Sequence, residues 1–488
     1  MLSTNAAPTN GGFPRVHICD VPIHKLNADV LLHVFTICRD IEPVSVWCIS
    51  RTSSRWRKLT LEHSVLWTLV TVDQPTIRFL GSTHPLAWLR TWLSRSYADQ
   101  ELDIAVDLHD VGMWRDCIRP TAEDMDNVLL ELCYSAYRWG SFTYRLGRQY
   151  TWASPGDWDF RALIAVLENM KSLPLLRTIY LWEEEGFLDS ALQITPGLLY
   201  QELQPKATPQ LRRVSLGTLP HSRKSGTDTC NVDHLSYQVR QYTVPRDVLS
   251  LLRTYNSTRI LQLSGWSGVV ESGHDGAVTL DNLHELQVVP NAFMADVLSA
   301  VDMPCLTRLT LDGRLIPYNE EVMSQTAWDP DGKSRYSTSF LDVLSLRPHT
   351  LFLTCLVLYL PLQSVPWSSM ANFETLETVT IVKTERDTFW SNCPSNLSML
   401  YEMKKPGDIG SRWCLPQLHT LTLQATAGGK SEKSALPAAS GWHRWQDEAK
   451  ALFWPRWLAA KENNTTLVYL GISVIATGIK IELRQTED

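Results

Sequence analysis

The sequence predicts an α/β protein in two parts: a three-helix module at the amino terminus, then an irregular solenoid with a curved, mostly parallel sheet and helices or loops on its convex side. Three observations predict it. A segment starting at Leu26 carries apolar residues over about half the circumference of a helix. Along the rest of the chain a pattern apolar-x-x-apolar-x-apolar recurs, with several copies starting 23 or 25 residues apart, the range of a solenoid with one short strand per turn. Four copies are introduced by a phrase with proline in the same place: Leu173-Pro174-Leu175-Leu176, Thr208-Pro209-Gln210-Leu211, Met303-Pro304-Cys305-Leu306 and Leu415-Pro416-Gln417-Leu418. The proline ends whatever precedes it, and the leucine begins the strand.

Residues 1–19 contain Thr, Asn, Ala, Pro and Gly without an apolar run, and read as a disordered tail, not a signal peptide. The helical module is expected over 20–70. Read at about 100° per residue, Leu26, Ile37, Val30, Val34, Cys38, Leu31 and Phe35 follow one another around one half of the first helix. Asp29, His33, Thr36 and Arg39 take the other half. Asn27 stands where an N-cap would, and Asp29 adds negative charge to the first turn. Pro43 separates a second helix, Val44 to about Ser53, and a third begins with Ser53 or Ser54 as its cap and runs through Trp56 and Leu59. Trp56 and Trp67 are the anchors of the core. A helix buried in so small a unit needs an apolar stripe only a little wider than about 100°, so the excess predicts a second protein.

The order of Pro22, Leu26-x-x-Asp29-Val30-Leu31-x-x-Val34-Phe35, Ser54-Arg55-Trp56-Arg57 and Leu66-Trp67 resembles the F-box, in the version found in proteins of mushroom-type fungi. Asn27 stands in place of the family's proline and Asp29 in place of its glutamate, and both keep a helix start. Thr52-Ser53 is more polar than the Val-Cys pair that often precedes the Arg-Trp. The resemblance implies docking to a Skp-type adaptor, and through it to a cullin ubiquitin ligase. Pro22, Leu26, Val30, Leu31, Val34, Phe35, Trp56, Leu59 and Trp67 are the residues it places at the adaptor. The repeats resemble the divergent leucine-rich repeats that follow many F-boxes, which implies a receptor whose repeat domain binds a protein substrate.

With 488 residues, 44% of them hydrophobic and 20% charged, the chain suits a soluble globular protein with two or more cores. A net charge of -7 argues against a general nucleic-acid binder. The ten cysteines lie singly, with no Cys-x-x-Cys pair, as free thiols of a reducing compartment do. Leu467 to Ile479, the longest apolar stretch, has thirteen residues, short of the roughly 20 that span a bilayer. It reads as one or two strands. No membrane partner is expected, and the location is cytoplasmic, nuclear or both.

The repeat domain is expected over 136–488. Its copies are Trp139/Phe142/Tyr144, Leu176/Ile179/Leu181, Leu211/Val214/Leu216, a poor one at His234/Tyr237/Val239, Thr258/Leu261/Leu263, Leu283/Leu286/Val288, Leu306/Leu309/Leu311, Leu353/Leu356/Leu358, Leu376/Val379/Ile381, Leu418/Leu421/Leu423 and Leu467/Leu470/Ile472. The asparagine of the strict motif occurs only at Asn291, so a regular side-chain ladder is not expected. Phe160 to Met170 and Ala292 to Val301 have helical spacing and belong to the convex side, while Asn319 to Ser339 and Gly428 to Gly441 read as loops. Trp442, Trp445, Trp454 and Trp457 suit a cap over the open end. Residues 71–135 form a stiff junction packing on the repeats, with a helix around Leu86–Leu93 and a strand over Leu102–Leu108.

Side chains between the apolar positions face outward. Of these, Arg177, Tyr180, Arg213, His284, Arg308 and His419 are expected to meet a substrate, since guanidinium forks match carboxylate or phosphate oxygens. Nothing predicts catalysis. Gly429-Lys430-Ser431 and Gly332-Lys333-Ser334 echo a phosphate loop, but Gln424 and Ala327 stand where its first glycine belongs. There is no Gly-x-Ser-x-Gly, no His-Glu-x-x-His and no metal-ligand spacing among the histidines. The chain is therefore expected to be no enzyme and to need no cofactor. An interaction scaffold that docks the adaptor without delivering a substrate is the alternative reading.

Overall fold

In a computed structural model of the chain, the residues described are 22–73, 76–77, 85–108, 122–146, 173–183, 208–217, 231–240, 243–265, 267, 276–313, 352–359, 373, 375–383, 420–425, 471–476 and 479–483. The fold is α/β, with a large, open, mostly parallel sheet and, among the described residues, seven α-helices. The chain divides into two compact units, Met1–Trp139 and Gly140–Asp488. No helix among the described residues is long and apolar enough to cross a membrane.

The first unit opens with a 3-10 turn, Pro22–Lys25, and three helices: α1 (Ala28–Ile41), α2 (Ser45–Thr52) and α3 (Ser54–Glu62). Their ends follow from local chemistry. The Val30 amide donates to Asn27 Oδ1 at 3.0 Å and the Trp56 amide to Ser53 Oγ at 3.2 Å, so both expected caps are made. Pro43, one residue past the C-cap Glu42, has no N–H to continue α1. After the 3-10 turn Ser64–Trp67 come β1 (Leu69–Asp73), α4 (Pro85–Arg95), β2 (Leu102–Leu108), α5 (Ala122–Tyr134) and a last turn, Ala136–Arg138. Strands β1 and β2 pair in parallel, Val70 opposite Ile104.

Residues 71–135 lie in this first unit, joined to the helical module by tryptophans. The fully buried Trp67 ring meets Trp92 of α4 at 4.8 Å and Trp47 of α2 at 6.3 Å, both edge to face, and Trp88 lies 5.3 Å from Trp92. The indole N–H groups of Trp67 and Trp92 are satisfied: Trp67 donates to Thr60 O at 2.7 Å and Trp92 to Trp67 O at 2.9 Å. The Arg95 guanidinium stands 4.4 Å from the Trp67 ring centre and 4.7 Å from that of Trp47, and burial lowers its pKa. Arg138, also buried, donates to Ser96 O, Ser96 Oγ and Gln100 O, and so fixes the turn in which Tyr97 takes a φ of 28°.

The second unit is built from strands β3 (Trp139–Leu146), β4 (Thr178–Glu183), β5 (Arg213–Leu216), β6 (His234–Val239) and β7 (Ile260–Gly265). Then follow β8 (Val278–Thr279), β9 (Glu285–Val288), β10 (Val301–Asp302), β11 (Arg308–Asp312), β12 (Cys355–Tyr359), β13 (Thr378–Lys383), β14 (Thr420–Ala425), β15 (Gly471–Ala476) and β16 (Ile479–Leu483). Leaving aside β8 and β10, which pair with each other, the strands of this unit are hydrogen-bonded in sequence order. All of these pairs are parallel except the last, β15 with β16, which is antiparallel. Helices α6 (Pro245–Thr254) and α7 (Ala292–Ser299) occupy two of the connections and touch each other, α7 within the expected Ala292 to Val301.

A single register runs through the unit. Ile179, Val214, Leu235, Leu261, Leu286, Leu309, Leu356, Val379, Leu421 and Ile472 are successive partners across ten strands. This register corrects two expected triads. His234 pairs with Arg213, which makes the β6 triad Val232/Leu235/Tyr237, two residues before His234/Tyr237/Val239. Ile472 pairs with Leu421 and Val474 with Leu423, so the last triad starts two residues after Leu467. Strand alternation has a period of two, so a two-residue slip keeps every apolar side chain on its face and is invisible to pattern matching.

Before six of the strands a turn closes with an N–H···O bond three residues back: Leu176 to Leu173, Leu211 to Thr208, Thr258 to Tyr255, Leu283 to Leu280, Leu306 to Met303 and Leu376 to Phe373. Pro174, Pro209 and Pro304 fall at the second position of such turns, where a fixed φ is favoured. Asn291 caps α7 through the Met294 amide at 2.9 Å, while its Nδ2 donates to Gly265 O at 3.0 Å, one repeat back. Gly265 has a φ of 82°, and a Cβ there would lie 2.0 Å from Val239 O. Five described cysteines, 38, 48, 133, 305 and 355, are free thiols, and burial raises that of Cys133 to about 12. The expected 1–19 tail, the Phe160 to Met170 helix, both polar loops and the tryptophan cap lie outside the described residues.

Two substitutions test this description. Trp67→Ala is expected to cost about 3–5 kcal/mol, and hydrogen exchange should accelerate across α2, α3 and α4 together. Gly265→Ala should cost at least about 2 kcal/mol through backbone strain and the clash with Val239 O, read as faster exchange in β6, β7 and α7.

Candidate functional site

Helix α1 divides its apolar arc in two. Leu31 and Phe35, 0% and 1% exposed, point into the unit, and the Phe35 ring meets Trp56 edge to face at 5.1 Å. Leu26, Val30, Val34, Ile37 and Ile41 remain on the surface, from 37% exposed at Leu26 to 80% at Ile41. Val30, Val34, Ile37 and Ile41, at steps of four, three and four residues, lie within about 60° of one another around the helix axis, while Leu26 precedes the N-cap Asn27. These four therefore form one stripe on α1, and Leu26 and Ile23 are exposed just before its amino end.

The stripe is held rigidly. Arg55 of α3 donates to Leu26 O at 2.6 Å at the start of α1, and near its other end Arg39 donates to Val65 O at 2.7 Å. Arg57 joins α3 to α2 through Ser50 O at 3.1 Å. An exposed apolar row on a well-fastened helix is a docking feature because no ordering is required before a partner covers it.

The nine residues assigned to the adaptor thus separate. Leu26, Val30 and Val34 are exposed, Trp56 and Leu59 are half-buried, and Leu31, Phe35 and Trp67 belong to the unit's own core. Pro22 begins the 3-10 turn. Sequence reasoning left out Ile41, although one further four-residue step beyond Ile37 reaches it. Of the residues assigned to substrate, Arg177, Arg213, His284 and Arg308 are exposed and Tyr180 is half-buried. They form two groups: Arg177, Tyr180 and Arg213 on adjacent strands, and His284 with Arg308 several strands away. Arg308 lies 3.5 Å from Glu285. His419 falls outside the described residues.

Among the described residues no three His, Cys, Asp or Glu side chains gather as a metal site would require. No family model matches the chain, and no curated protein matches it at a significant level.

The division of α1 predicts opposite outcomes for neighbouring substitutions. Val30→Asp and Val34→Asp should leave the melting profile within about 0.5 kcal/mol of the parent. Leu31→Asp and Phe35→Asp each bury a charge and should unfold the module, as circular dichroism and thermal denaturation would show.

Proposed function

We propose that the protein is the substrate-recognition subunit of a Skp/cullin/F-box ubiquitin ligase. The exposed stripe of α1 carries this reading: four apolar side chains in line, with Leu26 exposed just before them, on a helix whose Leu31 and Phe35 already fill a core. An ordinary surface helix would be polar there. A Skp-type adaptor would cover Leu26, Val30, Val34, Ile37 and Ile41, burying apolar area without disturbing Leu31 or Phe35. The repeat unit, read as a divergent leucine-rich-repeat solenoid, presents its polar face to the protein to be ubiquitinated. The chemistry belongs to the partner enzymes, and this chain contributes binding and orientation. The setting of this activity is the cytosol or nucleus.

The test is co-purification of the full chain with a Skp-type adaptor, beside the double variant Val30→Asp, Val34→Asp. Parent binding and at least about a hundredfold loss in the variant are expected, since truncated hot-spot residues each cost about 2 kcal/mol or more. Undiminished capture by the folded double variant would falsify docking through this stripe. Leu31→Asp and Phe35→Asp are unsuitable here, because they damage the module itself.

A further inference from the structure

The geometry points to the strand starts of β4 to β7 as a receiving site for a short acidic protein segment, held by Arg177, Arg212, Arg213 and Arg259. This names a substrate class for the receptor. It rests on the receptor reading only for what becomes of the captured segment.

A repeated backbone feature brings these arginines together. The Arg177 carbonyl accepts both the Arg212 and Arg213 amides, at 2.9 and 3.0 Å, and the Arg212 carbonyl accepts those of Asp233 and His234 in the same way. The Asp233 carbonyl then accepts Arg259 and Ile260, and the Arg259 carbonyl accepts His284 and Glu285. Arg177, Arg212, Asp233 and Arg259 are therefore equivalent positions on four neighbouring strands, with Arg213 one residue further on. At about 4.8 Å per strand the row is about 14 Å long.

All four arginines are exposed, and Asp233 is the one carboxylate at these strand starts, 3.9 Å from the Arg212 guanidinium. Neither Arg213 nor Arg259 has an ion-pair partner among the described residues. Directly behind, the next outward row is Tyr180, Ser215 and Ser236, neutral hydroxyl donors at half-buried positions. The corresponding starts of β9 to β13 are different. They carry Glu285, Glu377 and a single arginine, Arg308, already beside Glu285.

Among the described strand starts of this unit, positive charge is thus concentrated on β4 to β7, in a chain whose net charge is -7. Guanidinium forks backed by hydroxyls suit carboxylates or phosphates presented on a peptide. The short row, interrupted by Asp233, matches a brief acidic segment better than a nucleic-acid backbone or an anionic membrane, which call for a longer unbroken field.

Fluorescence anisotropy on the full chain without adaptor tests this, using labelled oligoglutamate and an oligomer of phosphoserine and glycine. At least one should bind, more weakly as salt rises, and the better of the two tells carboxylate from phosphate. The triple variant Arg212→Gln, Arg213→Gln, Arg259→Gln should bind at least about tenfold more weakly, while Arg51→Gln, an exposed arginine of the first unit, stays within about twofold. Because the replaced side chains are exposed, the triple variant should melt as the parent does, which separates lost binding from lost fold. Absence of binding to both peptides, equal binding by the triple variant, or tighter binding of oligouridylate or phosphatidylserine vesicles would each overturn the assignment. None of these outcomes bears on the adaptor.

Discussion

A shared register aligns the buried leucines of the repeat unit, and across β5, β6, β7 and β9 burial alternates along each strand. Leu261, Leu286, Leu309 and Leu356 are each wholly buried, and each is the direct partner of the next across neighbouring parallel strands. A slip of one residue would drive Gln262 and Gln287 into that row and turn their leucines to the half-exposed face, while β11 and β12 are covered on both faces, with Thr310 and Val357 also buried. The row therefore decides the other face as well. Gln262 donates to Gln287 at 3.1 Å, and Gln287 in turn to Asp312 at 3.1 Å, a polar ladder that exists only because the leucines beneath keep it in step. The arginines at the strand starts owe their alignment to the same constraint.

In the first unit Trp67 has the equivalent place. Its ring touches tryptophans from both sides, its N–H fastens α3, and its carbonyl accepts the indole of Trp92. Large rings let so small a core bury much area per residue, and the hydrogen bonds fix how they stack. The Arg95 guanidinium against two of these rings exchanges water for aromatic faces, which offsets part of the cost of burying a charge. Because Trp92 belongs to α4, the segment after the helical module shares its core.

Helix α1 brings core and function into one element. One half of its apolar arc satisfies the demand of folding, and the remainder is available for binding. Such a division gives a partner a surface that needs no rearrangement, since Arg55 and Arg39 hold both ends of the helix. On the proposed reading it also separates stability from recognition along a single helix, with buried Leu31 and Phe35 serving the first and exposed Val30 and Val34 the second.

Local chemistry was legible in the sequence by itself. Asn27 and Ser53 as caps, Pro43 as a break, the Pro-x-Leu turns and the α/β class all follow from interactions within a few residues, which a sequence displays directly. Three matters were decided only by the tertiary structure. The β6 and β15 registers depended on neighbouring strands, because alternation cannot distinguish a slip of two. The grouping of Arg177, Arg212 and Arg259 needed the pairing of strands tens of residues apart. And which half of the α1 arc lies inside was fixed by Trp56 and the packing around Phe35, since helical periodicity gives the width of an apolar stripe but not the side from which the rest of the chain approaches.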